Sequence, residues 1–291
     1  MFDNKKLTLN FKSRISLFIC IALICFIFCS LIAGFILYKW GENTAAMRIA
    51  TILQNIIVFI APALIISVMI TKLPADFLGI RKFPSIKQII LTSIILFLSI
   101  PVMNFIVNLN ESIVLPDYLK SVEIWMKTME ETSKGTITIL LGAPTIGNLI
   151  MSVLIVGILT GFSEELFFRG ALQNLFITRP LNIHIAIWIS AIIFSTLHFQ
   201  FYGFIPRILL GGFFGYLAVW SGSLWLPIFA HALNNSLVVF STWLISKNYI
   251  NFDINKIGAT FTLNDYLLII LSLITTTICI IILRRYHSIK A

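Results

Sequence analysis

The sequence predicts an all-α, polytopic membrane protein with about eight transmembrane helices. Of its 291 residues, 58% are hydrophobic and only 11% are charged. The mean hydropathy of +0.98 is too high for a soluble domain, whose surface is mostly polar. The hydrophobic residues fall into eight stretches near the roughly 20 residues that cross a bilayer as a helix. No large soluble domain fits between them, so we expect one integral membrane domain over residues 1–291.

The eight stretches differ in features that predict their shape. Pro62 in the second predicts a kink, and the third contains Pro101. Gly211, Gly212 and Gly215 in the sixth allow close approach of another helix. The fourth stretch is longer than one crossing needs, so one end is expected to project into water. The stretches are Ile15 to Tyr38, Ile49 to Thr71, Gln88 to Val107, Ile146 to Phe176, His184 to Phe199, Phe204 to Trp220, Leu224 to Ser246 and Tyr266 to Leu283.

Two connections between these spans are informative. The longest polar stretch contains the segment Asp117 to Thr132, whose apolar residues recur at helical spacing. That pattern predicts a helix on the membrane surface, and we favour a plain surface helix over a substrate gate. A tight connection, Arg179 to Asn182, is expected between the fourth and fifth spans.

The charged residues predict the orientation of the chain. Basic clusters at the N-terminus, between the second and third spans, and at the C-terminus fall on one side if eight spans alternate. The positive-inside rule then places both termini in the cytoplasm, with Lys39, Arg48 and Arg207 as minor exceptions. The net charge of +9 is explained by these clusters and their contact with the lipid bilayer. Nucleic acid is therefore not an expected partner.

Three charged side chains lie inside the fourth span, and Glu164 and Glu165 are the only acids among 12 that fall within any span. Burying an ionised side chain costs at least about 2.5 to 3.5 kcal/mol, so such residues are usually paired and functional. Glu165 and Arg169 are four residues apart and can pair on one helix face. Glu164 lies about 100° around the helix and is free to face elsewhere. A purely structural ion-pair cluster is the alternative.

Three more polar side chains, His198, His231 and Asn235, lie at membrane depth on later spans. A lone histidine or asparagine there more often holds helices together than catalyses a reaction. Glu164 and His198, however, lie roughly 21 and 24 Å along antiparallel helices from their connection, so they sit at similar depth. His231 and Asn235 lie about 10 and 16 Å into the seventh span, which is somewhat shallower. We therefore expect these side chains to converge.

This set of groups suits peptide hydrolysis. A buried glutamate can act as a general base on water, and donors from His231 and Asn235 can stabilise the oxyanion of a tetrahedral intermediate. Glu164, His198 and His231 also resemble a catalytic zinc set. The two histidines lack the i, i+4 spacing of the helical zinc-protease motif, which favours metal-free catalysis or an unusual site. Zinc stays open.

Three motifs carry a resemblance to a known family. Glu164-Glu165-Leu-Phe-Phe-Arg169 matches Glu-Glu-x-x-x-Arg, Phe194-Ser-Thr-Leu-His198 matches Phe-x-x-x-His, and His231-Ala-Leu-Asn-Asn235 matches His-x-x-x-Asn. On these motifs the chain resembles the CAAX protease and bacteriocin-processing family (CPBP, also called Abi), intramembrane proteases related to the type II CAAX prenyl endopeptidase. We expect residues 146–246, which carry the motifs, to form the catalytic core.

The resemblance implies an all-helical membrane fold with an intramembrane cavity open to the cytoplasm. It also implies an endopeptidase that cleaves a peptide or protein substrate near the membrane. Glu164 would activate water, with Glu165 and Arg169 in support, and His198 would help to orient or activate that water.

By the same resemblance, His231 and Asn235 would form the oxyanion site. The family has been described both as metal-dependent and as glutamate-dependent, so zinc stays open here too. Some proteins that resemble this family act through partners, and a non-proteolytic membrane scaffold or regulator is therefore the alternative function. A transporter comes third, because transporters often show related halves and we detect none. A prenylated CaaX tail, a bacteriocin or pheromone leader, and a membrane regulator all remain candidate substrates.

Overall fold

The computed structural model describes residues 9–177, 182–250, 257–259 and 262–288. Within these ranges every regular element is a helix, so the predicted all-α class is confirmed. Short 3₁₀ turns, Asp117–Leu119 and Phe201–Gly203, precede the helices Lys120–Leu141 and Phe204–Ser221. The helices are α1 (Phe11–Trp40), α2 (Thr44–Ile70), α3 (Pro74–Phe77), α4 (Ile86–Leu98), α5 (Ile100–Glu111), α6 (Lys120–Leu141), α7 (Ile146–Ile177), α8 (Ile183–Thr196), α9 (Phe204–Ser221), α10 (Trp225–Ser246) and α11 (Leu263–Ser288).

Six helical segments of the described chain are long and apolar enough to cross a membrane. They are α1, α2, α7, α10, the segment Phe201–Ser221 that contains α9, and Leu263–Tyr286 of α11. The bent pair of α4 and α5 adds a seventh if the pair forms one span. The predicted fifth span is α8, whose 14 residues extend only about 21 Å, less than the roughly 30 Å hydrocarbon core. The polytopic membrane class is confirmed, but the count of eight is not.

Prolines lie at two irregular points of the helices. α4 and α5 meet at an angle of 48°, and Pro101 is the second residue of α5. Because proline lacks an N–H group and its ring crowds the preceding turn, it favours a bend at this position. The third predicted span is thus bent next to Pro101, a bend that was not predicted from the sequence. In α2 a π-helical segment, Asn55–Ile60, ends two residues before Pro62, and the helix continues beyond it.

The two connections singled out in the sequence have different outcomes. α6 confirms a helix in the segment Asp117 to Thr132. The helix also continues to Leu141, over a stretch with threonines and a glycine in which the apolar periodicity is absent. The predicted tight connection, Arg179 to Asn182, lies outside the described residues except for Asn182. The side chain of Asn182 caps the start of α8 by accepting a hydrogen bond from the backbone N–H of His184.

α7 is the central helix and packs against α1, α2, α8 and α10. A Cβ atom on Gly161 would lie 2.8 Å from the backbone nitrogen of Ala232 in α10. Since heavy atoms cannot approach so closely without repulsion, glycine is required at this crossing. A Cβ atom on Gly212 or Gly215 of α9 would likewise lie 2.8 Å from a side-chain atom of α8, Trp188 and Ile187 respectively. The predicted role of these glycines in close helix packing is confirmed, and the packing fixes α7 against the helices that carry the histidines.

Candidate active site

The site is built on α7, where the α-helical segment Thr160–Glu165 lies between two π-helical segments, Val153–Leu159 and Leu166–Gln173. π-helical insertions are rare and often occur at functional sites. Glu164 and Glu165 end the α-helical segment and are both buried. Because successive side chains leave a helix about 100° apart, the two carboxylates face different neighbours.

Glu165 and Arg169 form a fully buried ion pair. Their Oε1 and Nη1 atoms are 2.7 Å apart, and both side chains are 0% exposed. Arg169 also donates from Nη2 to the backbone oxygen of Gly211 at 2.8 Å. Its guanidinium carbon lies 4.7 Å from the ring centre of Phe194 and 5.7 Å from that of Phe214. These contacts offset the cost of burying the charge, and the predicted i, i+4 pair is confirmed.

The carboxylate of Glu165 also orients His231. Its Oε1 atom lies 2.8 Å from Nδ1 of His231. A carboxylate only accepts hydrogen bonds, so the ring donates from Nδ1 and its Nε2 atom is directed to the other side. The ring of Phe214 stacks on the imidazole with 5.1 Å between ring centres. His231 is therefore held in one orientation by an ion pair on one edge and an aromatic ring on its face.

His198 lies just after the end of α8 and is oriented in a similar way. Its Nδ1 atom is 2.7 Å from the backbone oxygen of Phe194. Since a carbonyl oxygen accepts but does not donate, Nδ1 carries the proton and Nε2 is the free nitrogen. The side chain is 29% exposed, more than that of any other member of the cluster around Glu164. The cluster therefore opens outward at His198.

Glu164 is the point at which the two imidazoles meet. Its Oε2 atom lies 3.7 Å from Nε2 of His231 and 3.9 Å from Nε2 of His198. These distances exceed a hydrogen bond, and this buried oxygen has no hydrogen-bond partner among the described residues. Three acceptor atoms thus face one point, which favours a small bound group that can donate hydrogen bonds to them. The expected convergence of Glu164, His198 and His231 is observed.

Asn235 lies one turn beyond His231 on α10, as its spacing predicts. Its Nδ2 atom donates to the backbone oxygen of Val156 on α7 at 3.2 Å. The amide nitrogen carries two hydrogens, so a second donor is available beyond this contact. Asn235 thus borders the cluster without a described hydrogen bond to Glu164 or to either histidine.

A metal would use the same three atoms. Zinc bonds to histidine nitrogen and carboxylate oxygen are about 2.0 to 2.2 Å long, and the carboxylate and two outward-facing Nε2 atoms are chemically suited to it. In the part of the chain that the structure describes, however, no three His, Cys, Asp or Glu side chains have the arrangement of a metal site. The zinc alternative at Glu164, His198 and His231 therefore stays a prediction.

Several residues that contact the site were not predicted from the sequence. Phe194 belongs to the second motif, but its packing on Arg169 is not readable from the motif, and Phe214 lies outside all three motifs. Asn55 of α2 is 2% exposed and contacts the segment before Glu164, accepting a hydrogen bond from Ser163. An asparagine inside an apolar span is the signal that could have identified this contact.

The comparisons with known proteins agree with the motifs. Residues 146–237 match the family model for Rce1-like proteins, described as type II CAAX prenyl endopeptidase Rce1-like. The chain is 31% identical over 86 residues to the uncharacterized protein YpbD of Bacillus subtilis (strain 168), a match covering 28% of this chain and 41% of YpbD. The chain therefore spans less than half of that curated relative. No solved structure matches the chain. All three motifs lie within the matched residues, so the resemblance drawn from them is confirmed.

Proposed function

We propose that the chain is an intramembrane endopeptidase that hydrolyses a peptide bond near the membrane, on the premise that residues 146–237 match the Rce1-like family model. The observation that carries this proposal is the position of Glu164. Its carboxylate faces Nε2 of two histidines, while Glu165 is already occupied by its ion pair with Arg169. Glu165 thus has a structural role, and Glu164 is available to act as a catalytic group.

In the proposed reaction, Glu164 acts as the general base. A water molecule donates hydrogen bonds to Glu164 Oε2 and to one imidazole Nε2, which match the acceptors found there. As the water oxygen attacks the peptide carbonyl carbon, Glu164 takes its proton. The tetrahedral intermediate then collapses with cleavage of the C–N bond, and the same proton passes to the leaving amine. The products are a new amine and a new carboxylic acid, which then releases the second proton of the water to become a carboxylate.

The developing oxyanion is stabilised by donors on α10. Asn235 supplies the amide hydrogen that its contact with Val156 leaves free. His231 donates from Nε2 when it is protonated, and the carboxylate of Glu165 at Nδ1 stabilises the resulting imidazolium. Donors in a preorganised site stabilise the transition state more than the ground state. Arg169 acts indirectly, since it holds Glu165 in place.

The setting of this reaction follows from the charges and the hydrophobic helices. We propose that both termini are cytoplasmic, as the positive-inside rule predicts, and that the cluster opens into a cavity on that side. Residues 146–246 would form the catalytic core within a single membrane domain. Its partners are a peptide or protein substrate and the lipid bilayer.

Cleavage of a peptide library by the purified full chain in detergent, read by mass spectrometry, tests this function. Glu164→Gln should abolish every cleavage at unchanged protein yield, because the amide cannot take the proton. Glu131→Gln, at an exposed acid of α6, is the matched control and should cleave as the wild type does. A parallel sample with a zinc chelator tests the metal alternative. Equal cleavage by the Glu164→Gln variant would show that the buried glutamates are structural and favour the scaffold function.

A further inference from the structure

A buried polar network joins α2 to the turn of α7 that precedes Glu164. The side chain of Asn55 in α2 accepts a hydrogen bond from Oγ of Ser163 and donates from Nδ2 to Oγ1 of Thr160 at 3.3 Å. Nδ2 also donates to the backbone oxygen of Thr51 at 2.8 Å. Asn55 is 2% exposed and Ser163 is 0% exposed. Both polar atoms of the buried amide therefore have partners, and two of the three partners belong to α7.

The same turn of α7 also lies directly against α10. Gly161 stands between Thr160 and Ser163 in the sequence, and a Cβ atom on it would lie 2.8 Å from the backbone nitrogen of Ala232. The backbone carbonyl carbon of His231 would lie 3.3 Å from the same atom. Hydrogen bonds to α2 and close packing on α10 thus fix this turn beside the residue that carries one of the site imidazoles.

The position of the Glu164 carboxylate depends on this backbone. Its Oε2 atom has no hydrogen-bond partner among the described residues. The Nε2 atoms of His231 and His198 lie 3.7 and 3.9 Å away, which is beyond a hydrogen bond. Glu164 directly follows Ser163, so a shift of the turn shifts the carboxylate as well. Misplacing a reacting group by about 1 Å can lower a rate by about 10²-fold.

We propose that Asn55 is a positioning residue, which holds the turn that places Glu164 opposite the two histidines. The inference rests on the proposed function, in which Glu164 is the base. Asn55 acts through Ser163 and Thr160 and does not contact the reacting atoms. An Asn55→Leu variant loses both contacts to α7, so the turn is free to move relative to α2. An asparagine that only held helices together would change stability and leave the rate of cleavage unchanged.

Steady-state cleavage of a peptide found in the library tests the proposal, with the purified full chain in detergent. Asn55→Leu and Ser163→Ala should each lower kcat at least about tenfold with KM unchanged, because the peptide still binds but the base is displaced. The double variant should be no slower than the slower single variant, since both substitutions remove the same hydrogen bond. Rate losses that multiply in the double variant would overturn the proposal.

Ser272→Ala is the matched control. Ser272 of α11 is also a buried serine, 5% exposed, and it donates to the backbone oxygen of Leu98 in α4. Its loss removes one hydrogen bond between two helices, as Ser163→Ala does, so both variants should lower the melting temperature similarly. Only Ser163→Ala should lower kcat.

The ring ¹⁵N chemical shifts of His198 and His231, measured on protein with ¹⁵N-labelled histidine, report the position of Glu164 without catalysis. They should differ from the wild type in Ser163→Ala and stay unchanged in Ser272→Ala. Unchanged shifts in Ser163→Ala, or a kcat equal to that of the wild type, would overturn the proposal whether or not Asn55→Leu folds. A wild type that cleaves no peptide would instead contradict the proposed function, and the shifts alone would then decide the role of Asn55.

Discussion

Replacing Arg169 with methionine is expected to destabilise the protein by about 3 to 5 kcal/mol, because Glu165 then remains charged in the interior without its counter-ion. The pair is separated by 2.7 Å and both side chains are fully buried. Glu165→Gln should have an effect of similar size, since it leaves the guanidinium of Arg169 unpaired. In the double variant no charge is left, so its cost should fall well below the sum of the two single costs.

Equilibrium unfolding in mixed micelles, applied to the four proteins of this double-mutant cycle, measures these free energies. Asp76→Asn is the matched control, because Asp76 pairs with Arg81 at the surface, where the two side chains are 42% and 68% exposed. Breaking an exposed pair costs at most about 1 kcal/mol. The reasoning is refuted if Arg169→Met costs no more than Asp76→Asn, or if the costs of Arg169→Met and Glu165→Gln simply add.

Three further predictions concern the oxyanion site, the helix crossing and the surface helix. Asn235→Ala should lower kcat by about 10² to 10³ with little change in KM, and steady-state kinetics showing an unchanged kcat would remove this amide from the mechanism. Gly161→Ala should destabilise the protein by about 1 to 3 kcal/mol through overpacking. The control Gly147→Ala should leave the stability unchanged, because its Cβ meets nothing within 4 Å. Equal unfolding free energies of the two variants would contradict the predicted crowding at Gly161. Hydrogen bonds from Lys127 and Lys120 hold the pKa of Glu123 below its usual value. The ionised carboxylate therefore stabilises the folded protein at pH values above the usual pKa, and this stabilisation is lost as the pH falls through the lowered pKa. Unfolding measured against pH should show this loss in the wild type and not in Glu123→Gln, and parallel curves would argue against it.

The sequence was sufficient to predict two of the contacts between motif residues. Glu165 and Arg169 pair because a spacing of four places them on one helix face. Glu164 and His198 meet because equal distances along antiparallel helices give equal depth. These arguments rest on helix geometry alone, which holds inside a membrane as it does in water.

Other features depend on tertiary packing that no local pattern encodes. The aromatic rings of Phe194 and Phe214 contact Arg169 only because α8 and α9 converge on α7. The extension of α6 to Leu141 crosses residues with weak helical preference, which tertiary contacts override. α8 satisfied the hydropathy criterion for a span, but its 14 residues are too few to reach across the bilayer. Hydropathy measures the composition of a segment and not the point at which its helix ends.

The most direct test of the central claim, that Glu164 activates a water molecule, is a single-turnover cleavage in H₂¹⁸O with enzyme in excess over a peptide found in the library. The new carboxyl terminus should carry one ¹⁸O atom in the first turnover, and Glu164→Gln should yield no product. If Glu164 instead attacked the peptide carbonyl directly, a covalent intermediate would form. Its hydrolysis can place unlabelled carboxylate oxygen in the product and ¹⁸O in Glu164. First-turnover product without ¹⁸O would contradict direct attack by a water molecule that Glu164 activates.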